Sequence, residues 1–204
     1  MASLNVESTE RANLCHPGVL VALSAILLSI STLCAQPVPP SQSHALRFTR
    51  DRTATAPQSS QLVFTGDFTL EAWIYLDDYS NGTIVGLPLL TGAELYRLGF
   101  SDDGTTLEFV QSTGQTGSEV RIMFVHSIQL GSWTHVAATL ENGTVKLFVN
   151  GEQTENAGSS IGSPSGTFDA QFSVGATYAT GGEQLYDAVE GALRQVRVWD
   201  RALS

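Results

Sequence analysis

Phe68-Thr69-Leu70-Glu71-Ala72-Trp73-Ile74-Tyr75-Leu76 alternates strictly, with Phe68, Leu70, Ala72, Ile74 and Leu76 on one side and Thr69, Glu71, Trp73 and Tyr75 on the other. A period of two over that length suits a strand with one buried face and does not give a helix a one-sided stripe. The same signal recurs down the chain. Leu95 to Phe100 and Thr105 to Val110 flank the turn Ser101-Asp102-Asp103-Gly104, and Val120 to Val125 follows. Thr134 to Leu140 joins Val145 to Val149 through Glu141-Asn142-Gly143-Thr144, where Asn-Gly suits a tight hairpin because both residues accept positive φ. Phe172 to Ala176 and Leu193 to Trp199 complete the series. After the N-terminal region no helical period persists over about ten residues, so the reading is all-β: an antiparallel sandwich or barrel of about a dozen short strands. Small residues crowd Ala157 to Gly166, which predicts a long surface loop.

The N-terminal region has a different character. Val19 to Leu33 is apolar and uncharged, and Cys34-Ala35-Gln36 and the prolines of Pro37-Val38-Pro39-Pro40 come next. A membrane span needs about 20 apolar residues, so this shorter run reads as a secretory signal peptide over residues 1–35, cleaved after Ala35. Two alternatives are an uncleaved anchor and lipidation at Cys34, although bulky Leu33 is a poor neighbour for the latter. Residues 36–43 (QPVPPSQS) form a Pro/Ser-rich tether, and one domain fills 44–204. The expected location is secreted, periplasmic or cell-surface.

Both cysteines, Cys15 and Cys34, fall in the leader, so the exported part carries no disulfide, zinc knuckle or thiol nucleophile. Losing Glu7, Glu10 and Arg11 changes the net charge only from −10 to −9, so the acidity belongs to the domain. Nucleic-acid binding lacks its basic footprint.

Three segments, in order, resemble the laminin-G-like, concanavalin A-like jelly-roll family. They are Asp67 to Tyr75 (DFTLEAWIY), Trp133 to Gly151 (W-x-H-V-A, then Gly143 and K-L-F-V-N-G), and Gly191 to Ser204, ending V-R-V-W-D-R-A-L-S. The resemblance implies two antiparallel sheets packed face to face. It leaves the activity open, because this fold hosts sugar binders, adhesion modules, calcium binders and glycan-cleaving enzymes. Arg194-Gln195 stands where the family's closing strand carries Asp-Glu, removing a carboxylate that in some members helps hold calcium. Many members continue past this closing strand, so further domains after Ser204 are an expectation.

The catalytic alternatives fit poorly. A glycan-cleaving member needs two carboxylates on alternate positions of one strand, and the spacings of Glu183, Asp187 and Glu190 do not put them on one face. Gly158-Ser159-Ser160-Ile161-Gly162 matches the nucleophile-elbow string, but no helix and no histidine follow it. His44, His126 and His135 are too scattered for a zinc pair, and His135 reads as framework. Calcium is a candidate cofactor without nominated ligands, because Asp77-Asp78, Asp102-Asp103, Asp187 and Glu190 supply oxygen-rich loops. Asn81-Gly82-Thr83 and Asn142-Gly143-Thr144 match glycosylation acceptors and also read as simple turns.

What remains is a binding face. With Leu70, Ala72, Ile74, Val136, Ala138, Leu140, Leu147, Val149, Val196 and Val198 in the core, alternation turns Trp73, Tyr75, His135, Phe148, Arg197 and Trp199 outward. Trp73, Tyr75, Phe148, Arg197 and Trp199 are the candidate ligand-binding residues, since aromatic faces stack on sugar rings while polar neighbours hold hydroxyls. The alternative is that they belong to the framework. The expected function is a secreted, non-catalytic module that binds glycan, with a structural or adhesion module binding an extracellular protein as the alternative.

Overall fold

A computed structural model describes residues 44–56, 59–89, 93–115, 118–125, 128–159, 162, 170–178 and 185–203. The expected leader and tether, His126, Ser160, Ile161 and Glu183 lie outside these residues. Among the described residues fourteen strands form: β1 (Leu46–Phe48), β2 (Ala54–Ala56), β3 (Phe68–Leu76), β4 (Thr83–Pro88), β5 (Glu94–Phe100), β6 (Thr106–Ser112), β7 (Glu119–Val125), β8 (Trp133–Glu141), β9 (Thr144–Val149), β10 (Glu152–Ser159), β11 (Phe172–Val174), β12 (Thr177–Tyr178), β13 (Leu185–Tyr186) and β14 (Gly191–Trp199). The only helix among the described residues is a short 3-10 turn at Ser60–Leu62, and no helix there is long and apolar enough to cross a membrane.

The first sheet runs β1-β14-β3-β8-β9-β10 and the second β2-β11-β4-β5-β6-β7, with every pair antiparallel; β12 and β13 make a small separate ladder. The alternation of β3 becomes geometry. Phe68, Leu70, Ala72, Ile74 and Leu76 enter a core shared with Val136, Leu140 and Leu147 of the same sheet and Ile84, Leu98 and Phe109 of the other. Val196 and Val198 pack against this core half-buried. Each large apolar side chain hidden in this way contributes roughly 1.5–3 kcal/mol relative to exposure. Phe68 also ties the sheets together at one end, its ring 5.4 Å from Tyr96 and 6.0 Å from Phe109.

The Asn142-Gly143 turn has φ of 49° and 77°, as a two-residue hairpin loop requires. One expectation is corrected. The segment beginning at Ala157 is not wholly loop, because β10 continues to Ser159 along the edge of β9, with Gly158 opposite Val145 and Ser159 opposite Thr144. Its sequence, EQTENAGS, has no apolar alternation to reveal it, and backbone pairing with β9 defines it.

Candidate functional site

The outward residues of the first sheet meet in cross-strand rows. Tyr75 lies opposite Trp133, Trp73 lies between His135 and Arg194, and Glu71 lies between Ala137 and Arg197, with Phe148 one strand further on. Glu71 is the hub. It accepts hydrogen bonds from Trp199 Nε1 at 3.1 Å and Arg197 Nη1 at 3.2 Å, and its second oxygen lies 3.1 Å from His135 Nε2. Burial acts to raise the Glu71 pKa, but the bonds from His135, Trp199 and Arg197 outweigh it and hold the carboxyl below its ordinary value.

The rings of this face are engaged with one another. Trp73 sits 5.4 Å from the His135 ring, Tyr75 sits 5.6 Å from Trp133, and the Arg194 guanidinium lies 3.9 Å from the centre of Trp133. Arg201 lies 5.4 Å from Trp199. Trp73 is only 4% exposed, which corrects the expectation of an open stacking ring there. Phe148, Tyr75 and Trp199 are half-buried and Arg197 is exposed. His135 takes the framework role, its backbone N–H donating to Asn150 Oδ1 at 3.0 Å.

The sequence marked Arg194 only as a departure from the family's closing strand and not as part of this face, since simple alternation puts it on the core side. The ladder between β14 and β3 shifts register between Arg194 and Arg197, and Gln195 takes φ of 48°. That extra residue puts Arg194 and Arg197 on the same outer face although they are three positions apart.

The outer face of the second sheet holds a buried ion cluster. Arg97 Nε donates to Glu94 Oε2 at 2.7 Å, and its Nη2 donates to Glu108 Oε1. Arg121 reaches Glu108 at 3.3 Å from the solvent side. Arg97 is 5% exposed and Glu108 1%. Burial pushes the Glu94 carboxyl above its ordinary pKa despite Arg97 beside it. These carboxylates lie on neighbouring strands and are joined through one guanidinium.

A cleft of about 380 Å³ opens where four loop segments meet, lined by Arg50, Tyr79, Asn81, Asp102, Asp187 and neighbouring residues. Tyr79 is the exposed ring here, 39% accessible, and its hydroxyl is fixed by donating to the Ile128 carbonyl at 3.0 Å. Asn81 Nδ2 donates to Asp187 Oδ1 at 2.8 Å, which orients both side chains. Burial raises the Asp187 pKa; Arg97 opposes the shift and Asp102 adds to it. Gly104, at φ of 70°, closes the wall: a Cβ there would stand 2.8 Å from the Ser80 nitrogen. Asp103 accepts from Ser101, Thr105 and Thr106, which together hold its carboxyl well below the usual range, so it shapes the turn.

The other loop carboxylates have protein partners. Asp77 pairs with Arg47 at 2.6 Å, Glu190 pairs with Arg50 at 2.6 Å, and Asp78 accepts from the Tyr79 N–H. Among the described residues no group of three or more His, Cys, Asp or Glu side chains gathers as metal ligands. Gly158 and Ser159 of the elbow string end a strand, and Asn81 serves Asp187 within its turn. His44 lies exposed near the start of the domain.

The profile of the Laminin_G_3 family, described as the concanavalin A-like lectin/glucanases superfamily, matches residues 48–204, and the chain belongs to this family. Its fold is the concanavalin A-like jelly-roll sandwich that the sequence motifs implied. Solved structures of similar fold include a heptameric SAP-like pentraxin from Limulus polyphemus (18% identity, TM-score 0.53, 76% of this chain and 78% of that one). Others are a putative carbohydrate binding protein from Bacteroides ovatus (22%, TM-score 0.55, 78% and 44%) and the botulinum neurotoxin serotype G binding domain (13%, TM-score 0.56, 78% and 40%). The chain thus spans less than half of the latter two. No curated protein gives a significant sequence match.

Proposed function

We propose that the chain is an exported, non-catalytic carbohydrate-recognition module that binds sugar in the cleft between Tyr79 and Asp187. The observation that carries this reading is the cleft itself, whose lining combines exposed Tyr79, its hydroxyl anchored on Ile128, with an oriented amide-carboxylate pair. A ring face takes the apolar side of a sugar while such polar groups take its hydroxyls. Of the five residues picked out by sequence, Trp73 is buried, Tyr75 packs on Trp133 and Trp199 donates to Glu71, which favours a framework role for these three over a sugar platform.

The non-catalytic reading is supported by the confinement of Glu94 and Glu108, which share Arg97 under cover rather than facing a substrate across a gap. Export is supported by the apolar run Val19 to Leu33 followed by Ala35. Mass spectrometry of the exported protein should find Gln36 at its N-terminus.

The binding test is a glycan panel against the full chain and its Tyr79→Ala variant. The variant should lose about tenfold in affinity, about 1.4 kcal/mol, while still melting cooperatively at a temperature lowered by the lost Ile128 hydrogen bond. Equal binding by both proteins would move the site elsewhere, and no binding to any glycan would remove the reading.

A further inference from the structure

Resting on that reading, we infer that the cleft selects neutral sugars presenting adjacent free hydroxyls and rejects sugars bearing a carboxylate or sulfate. The reasoning is a count of charges, donors and acceptors. The Asn81 amide spends one of its two N–H donors on Asp187 Oδ1, which leaves the second N–H to donate and Asn81 Oδ1 and Asp187 Oδ2 to accept. Asp102, at the turn beside them, brings another carboxylate to the lining. Ser80 Oγ already accepts from the Glu190 N–H at 3.3 Å.

The cation at the cleft is Arg50, whose Nε lies 2.6 Å from Glu190, which offsets its charge, while its exposed Nη groups remain able to donate to a hydroxyl. At Asp187 the like charges of Asp102 and Glu108 are opposed by Arg97 of β5 and Arg121 of β7, so the negative sign of the wall rests on the lining carboxylates themselves. A sugar hydroxyl can donate to these carboxylates and accept from the remaining Asn81 and Arg50 N–H groups without adding negative charge. A ligand carboxylate or sulfate would set an anion against Asp102, Asp103 and Asp187, with the Glu190-paired Arg50 opposing them. The Tyr79 ring supplies the stacking surface in either case, so discrimination falls to the polar wall.

The test compares glucose- and galactose-based neutral oligosaccharides with uronate oligosaccharides of matched linkage and length, and includes the corresponding free-amine oligosaccharide. Binding to the full chain is read by calorimetry, and by NMR shifts of the Asn81 side-chain amide. A neutral ligand should bind at least tenfold more tightly than its uronate counterpart and should move the Asn81 amide signal. Asp102→Asn should narrow that gap by weakening the repulsion, raising uronate affinity relative to that of the neutral ligand. The gap should also narrow in high salt.

Equal or tighter uronate binding would overturn the inference while leaving carbohydrate recognition standing. Binding of the amine sugar alone would overturn it too, by assigning the carboxylates to a cation. Absence of binding by every sugar would remove the recognition reading, and this inference with it.

Discussion

On the outer face of the first sheet one carboxylate, Glu71, collects donors from His135, Arg197 and Trp199; on the second, one guanidinium, Arg97, is shared by Glu94 and Glu108. Both hubs are removed from water, yet the carboxyl groups shift in opposite directions: Glu71 falls below its ordinary pKa and Glu94 rises above it. The difference lies in how many donors each carboxylate commands. Three side chains outweigh burial at Glu71, whereas Glu94 is more deeply covered and divides one cation with another anion.

The largest test of the contrast is Arg97→Met, which leaves Glu94 and Glu108 buried without their shared cation. Denaturant unfolding should show a loss of about 3–5 kcal/mol. A loss below about 1 kcal/mol would mean that water reaches these carboxylates, and the contrast would collapse. Glu71→Gln should cost less, about 1–3 kcal/mol, because Gln keeps an acceptor for Trp199 and Arg197 is already partly exposed.

A finer test is pH. The folded pKa of Glu71 is lowered, so its charged form contributes stability above the unfolded value near 4.5, and that contribution disappears as pH falls through the folded value. Glu94 has the opposite sign: its folded pKa is raised, so stability falls as pH climbs from the unfolded toward the folded value. The penalty of Glu71→Gln should therefore shrink in acid, while Glu94→Gln should compare best with the parent above the raised value. Parallel profiles for the two variants, followed by melting temperature against pH, would break the comparison. The smallest expected effect is that of Arg194→Ala, about 1 kcal/mol from the lost guanidinium stacking on Trp133, with changed tryptophan fluorescence.

The core of the sandwich was legible because alternation is a property of the chain alone, and residues such as Leu70, Ile74, Val136 and Leu147 could be sorted by parity. Trp133 shares its parity with His135 and was within reach of the same argument. Arg194 was not, since the register shift beside Gln195 reverses parity there. The cleft was beyond sequence reasoning for a different reason. Arg50, Tyr79, Asn81, Asp102 and Asp187 come from four connections that carry no period; Asp102 and Asp187 drew notice as oxygen-rich positions and Asn81 as a glycosylation acceptor or turn, none of them as a cleft.

The sequence by itself determined the two-sheet architecture, the family and the sorting of apolar residues to the interior, because strand periodicity and turn chemistry act over a few neighbouring residues. Tertiary structure decided which outward aromatics stay accessible and which loop side chains meet. Those outcomes depend on packing between segments up to about a hundred residues apart, as with Asn81 and Asp187, and no local pattern encodes them.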